Sequence, residues 1–246
     1  MRGKLLENNY KGHSISVYLP PSYGEEEKYP CVIIQDGNVF IKMVNEIMAQ
    51  VEKRWQIGEG EEAIFIFLSS KDRLLEYTPW EEKAINPKFH DFGGGGNLYL
   101  KFLTDEILPW IQSLYNIKTE KQGILGYSLS GLIAVYATTR KGEKQPFSKI
   151  GSLCGSFWYP NWIEYLKCNI PNNAKFYFCY GNNEGKGKQE RLSKAPDYAR
   201  ETIQIVRSWK GNEVVVTYDE GGHHDFMKER FYKALVWFTE WTDSQC

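Results

Sequence analysis

The chain has 246 residues, 42% of them hydrophobic and 25% charged, a mixture typical of globular proteins that excludes disordered and collagen-like classes. The 30 basic and 31 acidic side chains leave a net charge of −1, so charge gives no reason to expect nucleic acid or an anionic membrane as a partner. The opening sequence MRGKLLENNYKGHS lacks the apolar run of a signal peptide, and the five cysteines form no C-x-x-C pair. We therefore expect a cytoplasmic protein with reduced thiols.

Short apolar runs alternate with segments of helical periodicity along the whole chain. Strands are predicted at 15–19, 31–35, 63–68, 123–125, 150–153, 175–180 and 213–218. Helices are predicted at 39–51, 100–114, 129–139, 198–209 and 226–241. This alternation predicts one α/β domain over residues 1–246, with a mostly parallel sheet and helices on both faces. The connection 69–96 is long enough to be functional or mobile, and the sequence leaves open whether it acts as a lid.

Ligands of such sheets bind beyond the carboxyl ends of the strands, and the segment Gly126-Tyr127-Ser128-Leu129-Ser130-Gly131 follows one of them. A serine in a tight strand-to-helix turn is exposed, rigidly held and close to a helix N-terminus, as a nucleophile requires. The usual G-x-S-x-G pattern is present here as G-x-S-x-S, with a glycine one place later. We interpret Ser128 as the nucleophile; the alternative is a serine that only caps the helix.

A serine nucleophile needs a base and an acid, which follow it in the order acid, then histidine, in sheets of this kind. Glu184 follows the strand at 175–180, and the pair His223-His224 follows the strand at 213–218. A surface loop carboxylate and a surface turn are the alternatives for these positions. The oxyanion that forms needs two N–H donors, for which we predict the backbone of Leu129 and of Asn38, the latter after the strand at 31–35. This chemistry requires no metal or organic cofactor.

These motifs together resemble the esterase D-type branch of the α/β-hydrolases, which includes siderophore and feruloyl esterases. The resemblance covers roughly residues 14–241. It rests on YLPPSY at 18–23, YPCVIIQDG at 29–37, Arg73 with YTPW at 77–80, the helix at 98–115, the elbow GYSLSGL at 126–132, GSFW at 155–158, and GNNE at 181–184, which supports Glu184 as the acid. It implies the α/β-hydrolase fold and an ester-cleaving activity. The family pattern of G-x-H with an aromatic residue two places later favours His224 with Phe226 over His223, which has Asp225 at that place.

We therefore expect a serine carboxylesterase in which Ser128 attacks, His224 is the base and Glu184 orients it. Tyr127, Trp158 and Arg73 are candidate substrate-binding residues, for a bulky, aromatic or siderophore-type ester or for an anionic group. An acyltransferase on the same site and a non-catalytic binding module on this fold are the alternatives. The natural substrate and the oligomeric state are not predictable from the sequence.

Overall fold

The computed structural model describes residues 1–24, 26–169 and 173–241, and it contains a central sheet and a small hairpin. The strands are β1 (Lys4–Tyr10), β2 (His13–Leu19), β3 (Tyr29–Gln35), β4 (Ile64–Leu68), β5 (Glu81–Glu82), β6 (Phe92–Gly93), β7 (Ile117–Tyr127), β8 (Lys149–Leu153), β9 (Lys175–Gly181) and β10 (Glu213–Asp219). The helices are α1 (Gly37–Phe40), α2 (Val44–Gln56), α3 (Arg73–Glu76), α4 (Gly96–Phe102), α5 (Leu108–Leu114), α6 (Leu129–Tyr136), α7 (Trp162–Cys168), α8 (Glu190–Ser193), α9 (Ala195–Ser208) and α10 (Met227–Thr239).

The eight strands of the central sheet follow the order β1-β2-β4-β3-β7-β8-β9-β10. β1, β2 and β4 pair antiparallel, and every pairing from β4 to β10 is parallel. The carboxyl ends of β3, β7, β8, β9 and β10 therefore meet at one edge, where ligands of parallel sheets bind.

Helices cover both faces of the sheet and enclose two hydrophobic cores. The strands β3, β4 and β8 are fully buried along their length. For β3 and β4 this agrees with their nearly continuous apolar sequences. On one face, α2 and α10 pack with Ile47, Met48 and Phe238 into the sheet. On the other face, α4 to α7 and α9 pack against the sheet, with Leu132 and Trp162 among their buried side chains. The predicted three-layer α/β architecture is confirmed.

Several elements differ from the prediction. β1 was not expected, because KLLENNY has no alternation of apolar residues; it is a half-exposed edge strand that pairs with β2 alone. β7 begins at Ile117, six residues before the predicted strand at 123–125, and so includes the polar segment KTEKQ. The predicted helix 100–114 is interrupted by a π-helical turn at Leu103–Ile107, just before Pro109, whose missing N–H prevents a regular helical hydrogen bond.

The connection 69–96 is more ordered in structure than a plain loop, since it contains α3 and the β5–β6 hairpin. Gly94, in its four-glycine run, has a φ of 67°, and a Cβ there would lie 2.3 Å from the backbone nitrogen of Glu81. A glycine is required at this point because the two chain segments approach so closely. Among the helices in the described part of the chain, none has the length and apolarity needed to cross a bilayer.

Candidate active site

The turn between β7 and α6 holds Ser128 in a strained conformation, with φ 62° and ψ −120°. The turn is so tight that a Cβ at Gly126 would lie 2.0 Å from the carbonyl oxygen of Ser130. Gly131 is needed for another reason, since a Cβ there would lie 3.1 Å from the Cα of Gly155. The glycine one place later than the usual pattern thus lets α6 approach the segment that follows β8. Positive φ at a non-glycine residue costs free energy and is typical of functional sites.

The unusual Ser130 ties this turn to the neighbouring strand. Its side chain is fully buried, and its hydroxyl lies 2.7 Å from Oδ2 of Asp36, the residue that follows β3. The hydroxyl oxygen of Ser130 also accepts a hydrogen bond from the backbone N–H of Tyr127 at 2.7 Å. A glycine at this position would lose both contacts.

Three side chains from three different strand ends form one hydrogen-bonded chain. Nε2 of His223 lies 3.0 Å from Oγ of Ser128, and Nδ1 of His223 lies 2.8 Å from Oε2 of Glu184. The other carboxylate oxygen of Glu184 accepts the backbone N–H of Gly181 at 3.0 Å. The order nucleophile, base and acid along this chain is that of a serine-hydrolase triad.

In the structure His223, and not the predicted His224, lies between Ser128 and Glu184. Asp225 explains this, because its carboxylate accepts the N–H of Gly222 at 2.8 Å and closes a tight turn that directs His223 inwards. Phe226, the aromatic residue on which the prediction of His224 depended, is 53% exposed and lies at the N-cap of α10, directly before the helix.

Electrostatics in the site keep Glu184 ionised. Burial alone would raise the pKa of the Glu184 carboxyl, but hydrogen bonds from His223, Cys154 and the Gly181 backbone hold that pKa below its ordinary value. His224 differs, since burial and the neighbouring His223 lower the pKa of its imidazole. A permanent carboxylate beside Nδ1 favours the tautomer of His223 that leaves Nε2 free to accept a proton from Ser128.

The two predicted oxyanion donors lie at the same edge of the sheet. Leu129 is the first residue of α6, so its N–H has no acceptor within the helix. Asn38 is exposed and lies in the first turn of α1, which begins directly after β3, the neighbour of β7. A buried hydroxyl that was not predicted, that of Ser156, lies 3.2 Å from Oγ of Ser128. Its GSFW motif was noted in the sequence, but no local pattern indicated this contact.

Of the three candidate substrate-binding residues, only Trp158 lines the cleft beside Ser128. Tyr127 is 5% exposed, and its hydroxyl donates instead to the carbonyl oxygen of His223, so it supports the histidine loop from below. Arg73 forms a two-pronged ion pair with Asp36, at 2.6 and 3.0 Å, although part of its side chain stays exposed. This pair, together with Ser130, holds the loop that carries Asn38.

The cleft has a volume of about 420 Å³. Its lining includes Ser128, Trp158 and His223, together with Leu192, Lys186 and Lys188. His224 also faces this space, which gives the second histidine a place in the cleft wall rather than in the hydrogen-bonded chain.

Behind the histidine loop lies Arg230, whose side chain is 2% exposed. Its guanidinium donates two hydrogen bonds to Asp219, at 2.5 and 2.7 Å, and one each to the carbonyl oxygen of Gly222 and the hydroxyl of Tyr127. The Arg230 hydrogen bonds lower the pKa of the Asp219 carboxyl. This buried cation therefore holds Asp219 and Gly222, the part of the loop that precedes His223.

We expect Asp219→Asn to lower the free energy of unfolding by about 3 kcal/mol at pH 7, because it leaves the Arg230 charge buried without its partner. Since the Asp219 pKa is depressed by folding, its contribution is complete above the ordinary value of about 4 and is lost as the pH falls through the lower folded value. Urea unfolding at several pH values measures this. The difference between wild type and variant should narrow in strong acid, and a difference that is absent at pH 7 would contradict the role of this pair.

Within the described residues, one group of potential metal ligands was found, formed by Cys154, Glu184 and His223. Their ligand atoms lie within 4.8 Å of one another. Nη1 of Arg230 donates to the sulfur of Cys154 at 2.9 Å, and burial raises the pKa of the Cys154 thiol well above its ordinary value. A cation so close, and a thiol that resists ionisation, disfavour a metal ion at this group.

The family model described as a putative esterase matches residues 10–239, nearly the entire chain. The chain belongs to this esterase family. It is accordingly a carboxylic ester hydrolase.

This esterase is similar to the uncharacterized protein YbbA of Bacillus subtilis strain 168, with 32% identity over 96% of both chains. Among solved structures it resembles an IroE-like serine hydrolase from Shewanella oneidensis, with a TM-score of 0.78, 19% identity, and coverage of 98% of this chain and 81% of the other. It also resembles the siderophore hydrolase EstB from Aspergillus nidulans, with a TM-score of 0.73, 15% identity, and coverage of 97% and 94%. At these identities the two solved structures establish the α/β-hydrolase fold that the sequence predicted.

Proposed function

We propose that this esterase cleaves its substrate by a serine mechanism through an acyl-enzyme. The observation that carries the proposal is the continuous chain from Ser128 Oγ through the His223 ring to Glu184. A serine hydroxyl is a poor nucleophile until a neighbouring base removes its proton as it attacks. Both hydrogen bonds of His223 have the lengths that such a transfer needs.

In the first half of the reaction, Ser128 Oγ bonds to the ester carbonyl carbon while His223 Nε2 takes the hydroxyl proton. The negative charge that forms on the carbonyl oxygen is stabilised by the N–H groups of Leu129 and Asn38. Collapse of this intermediate breaks the ester bond, and His223 gives its proton to the leaving alcohol. The Glu184 carboxylate stabilises the imidazolium throughout without accepting a proton.

In the second half, water takes the place of the alcohol. His223 removes a proton from it, the hydroxide attacks the acyl carbon, and Ser128 leaves with the proton that His223 returns. The free acid and the original enzyme result, so atoms and charges balance over the cycle.

For the substrate we propose a bulky ester of the siderophore or aromatic type. The flat face of Trp158 and the apolar Leu192 in a cleft of about 420 Å³ favour a large planar group over a short aliphatic one. The structurally similar EstB is a siderophore hydrolase, which supports this substrate class.

We expect the purified protein to hydrolyse p-nitrophenyl esters, and to release the free acid of an aromatic or siderophore-type ester with a higher kcat/KM than that of p-nitrophenyl acetate. Spectrophotometry and chromatography of the products measure the two rates. Added alcohol distinguishes hydrolysis from acyl transfer, because an acyltransferase would form a new ester at the expense of the acid. Absence of turnover with every ester, in folded protein, would contradict the proposal and favour a binding module.

A further inference from the structure

The thiol of Cys154 lies beneath the proposed acid, where a neutral side chain separates a buried cation from a buried carboxylate. Cys154 follows β8 directly, is 1% exposed and has a φ of 49°. Its backbone N–H donates to the carbonyl oxygen of Cys179 at 2.7 Å, which anchors it to β9. The sulfur is within 4.8 Å of ligand atoms of both Glu184 and His223. Sequence reasoning gave this residue no role.

The direction of the hydrogen bonds at this sulfur follows from its neighbours. A guanidinium has only donors, so Arg230 donates to the sulfur at 2.9 Å and the sulfur must accept there. The thiol proton is then free to point elsewhere. Tyr127 already donates its own proton to the His223 carbonyl oxygen and accepts from Arg230. The carboxylate of Glu184 lies within 4.8 Å of the sulfur and hydrogen-bonds with the Cys154 thiol, and an ionised carboxylate is a stronger acceptor than a neutral oxygen.

A thiol between Arg230 and Glu184 affects the carboxylate differently from a direct ion pair between those two residues. If the Arg230 guanidinium contacted Glu184 itself, the carboxylate would have its strongest partner on the wrong side and would be drawn away from His223. The thiol stays protonated, since burial raises the pKa of Cys154 well above its ordinary value. It therefore presents one weak donor to the acid, while Asp219 neutralises the cation behind it.

We propose that Cys154 is a positioning residue of the catalytic site, and that its thiol, held by Arg230, orients the Glu184 carboxylate towards His223. This inference rests on the serine mechanism proposed above. Cys154 does not touch the substrate or the reacting atoms, so it acts only through Glu184.

The test compares Cys154→Ala with Cys154→Ser, which have nearly the same volume but differ in whether a donor is present. We expect Cys154→Ala to lower kcat roughly tenfold with KM changed less than about twofold, because the acid is misplaced while the cleft is untouched. Cys154→Ser should recover most of the lost kcat. If sulfur only fills space, Ala and Ser would be equally impaired, and that result would overturn the proposal.

A second measurement repeats the Ala substitution in the Glu184→Gln background. Because Cys154 acts through Glu184, its removal there should change kcat by less than about twofold, whereas independent effects would multiply. If Cys154→Ala does not fold, Cys154→Gly takes its place, since glycine accepts the φ of 49° without strain. The wild type and Ser128→Ala are assayed alongside: an inactive wild type contradicts the serine mechanism, whereas an active wild type with unaffected Cys154 variants contradicts only this inference.

Discussion

Replacing Ser128 by alanine should lower kcat for ester hydrolysis by about four orders of magnitude or more while the protein remains folded. The substitution removes the oxygen that attacks the ester and lies 3.0 Å from His223 Nε2. The substitution should not disturb packing in the hydrophobic core, since Ser128 lines the cleft. Steady-state rates with a p-nitrophenyl ester, together with circular dichroism and thermal unfolding, measure the effect.

Ser130→Ala is the matched control, because both serines belong to the same turn but only Ser128 is in reach of His223. Ser130 contacts Asp36 and the Tyr127 backbone, so its loss should lower stability by about 1 kcal/mol and keep kcat within about tenfold of the wild type. Turnover that survives in Ser128→Ala, or disappears only in Ser130→Ala, would show that the nucleophile has been assigned to the wrong serine.

His223→Ala should be nearly as damaging as Ser128→Ala, and combining the two should cost little more than either alone, because the two side chains act as a unit. His224→Ala should keep kcat within about tenfold, since this ring lines the cleft beside His223 without a hydrogen bond to Ser128 or Glu184 among the described contacts. The same esterase assay ranks the two variants. A larger loss in His224→Ala would return the role of base to His224, as the sequence pattern had favoured.

Much of the fold was predictable because its buried strands have an unmistakable composition. CVIIQ at 31–35 and AIFIFL at 63–68 are apolar on both faces, and they form the neighbouring parallel strands β3 and β4. β1 and the first half of β7 were missed for the opposite reason. Both segments are polar and lack the apolar alternation of a typical strand. β1 is a strand because β2 pairs with it along its whole length.

The site was predictable to the extent that each residue is marked by its local sequence. Ser128 lies in a turn that only glycine at position 126 permits, and Glu184 follows a buried strand. The histidine depended on a finer feature, the Gly222–Asp225 turn, whose side-chain hydrogen bond no spacing rule reveals.

The residues that support the site could not be predicted at all. Arg230, Asp219 and Cys154 belong to an α-helix, a strand end and a loop, and the hydrogen bonds that join these three residues to one another span up to 76 positions of the chain. Only folding brings them together behind Glu184. No local sequence pattern distinguishes them from ordinary helix, loop or core residues.

The central claim is that Ser128 is an activated nucleophile, and reaction with a fluorophosphonate probe tests it most directly. The probe phosphonylates only a serine whose proton a neighbouring base removes, and mass spectrometry of the digested protein locates the modified residue. We expect one label per chain, on Ser128, with labelling that is lost in His223→Ala and retained in His224→Ala. Folded wild-type protein that remains unlabelled, or that is labelled at another serine, would contradict the account.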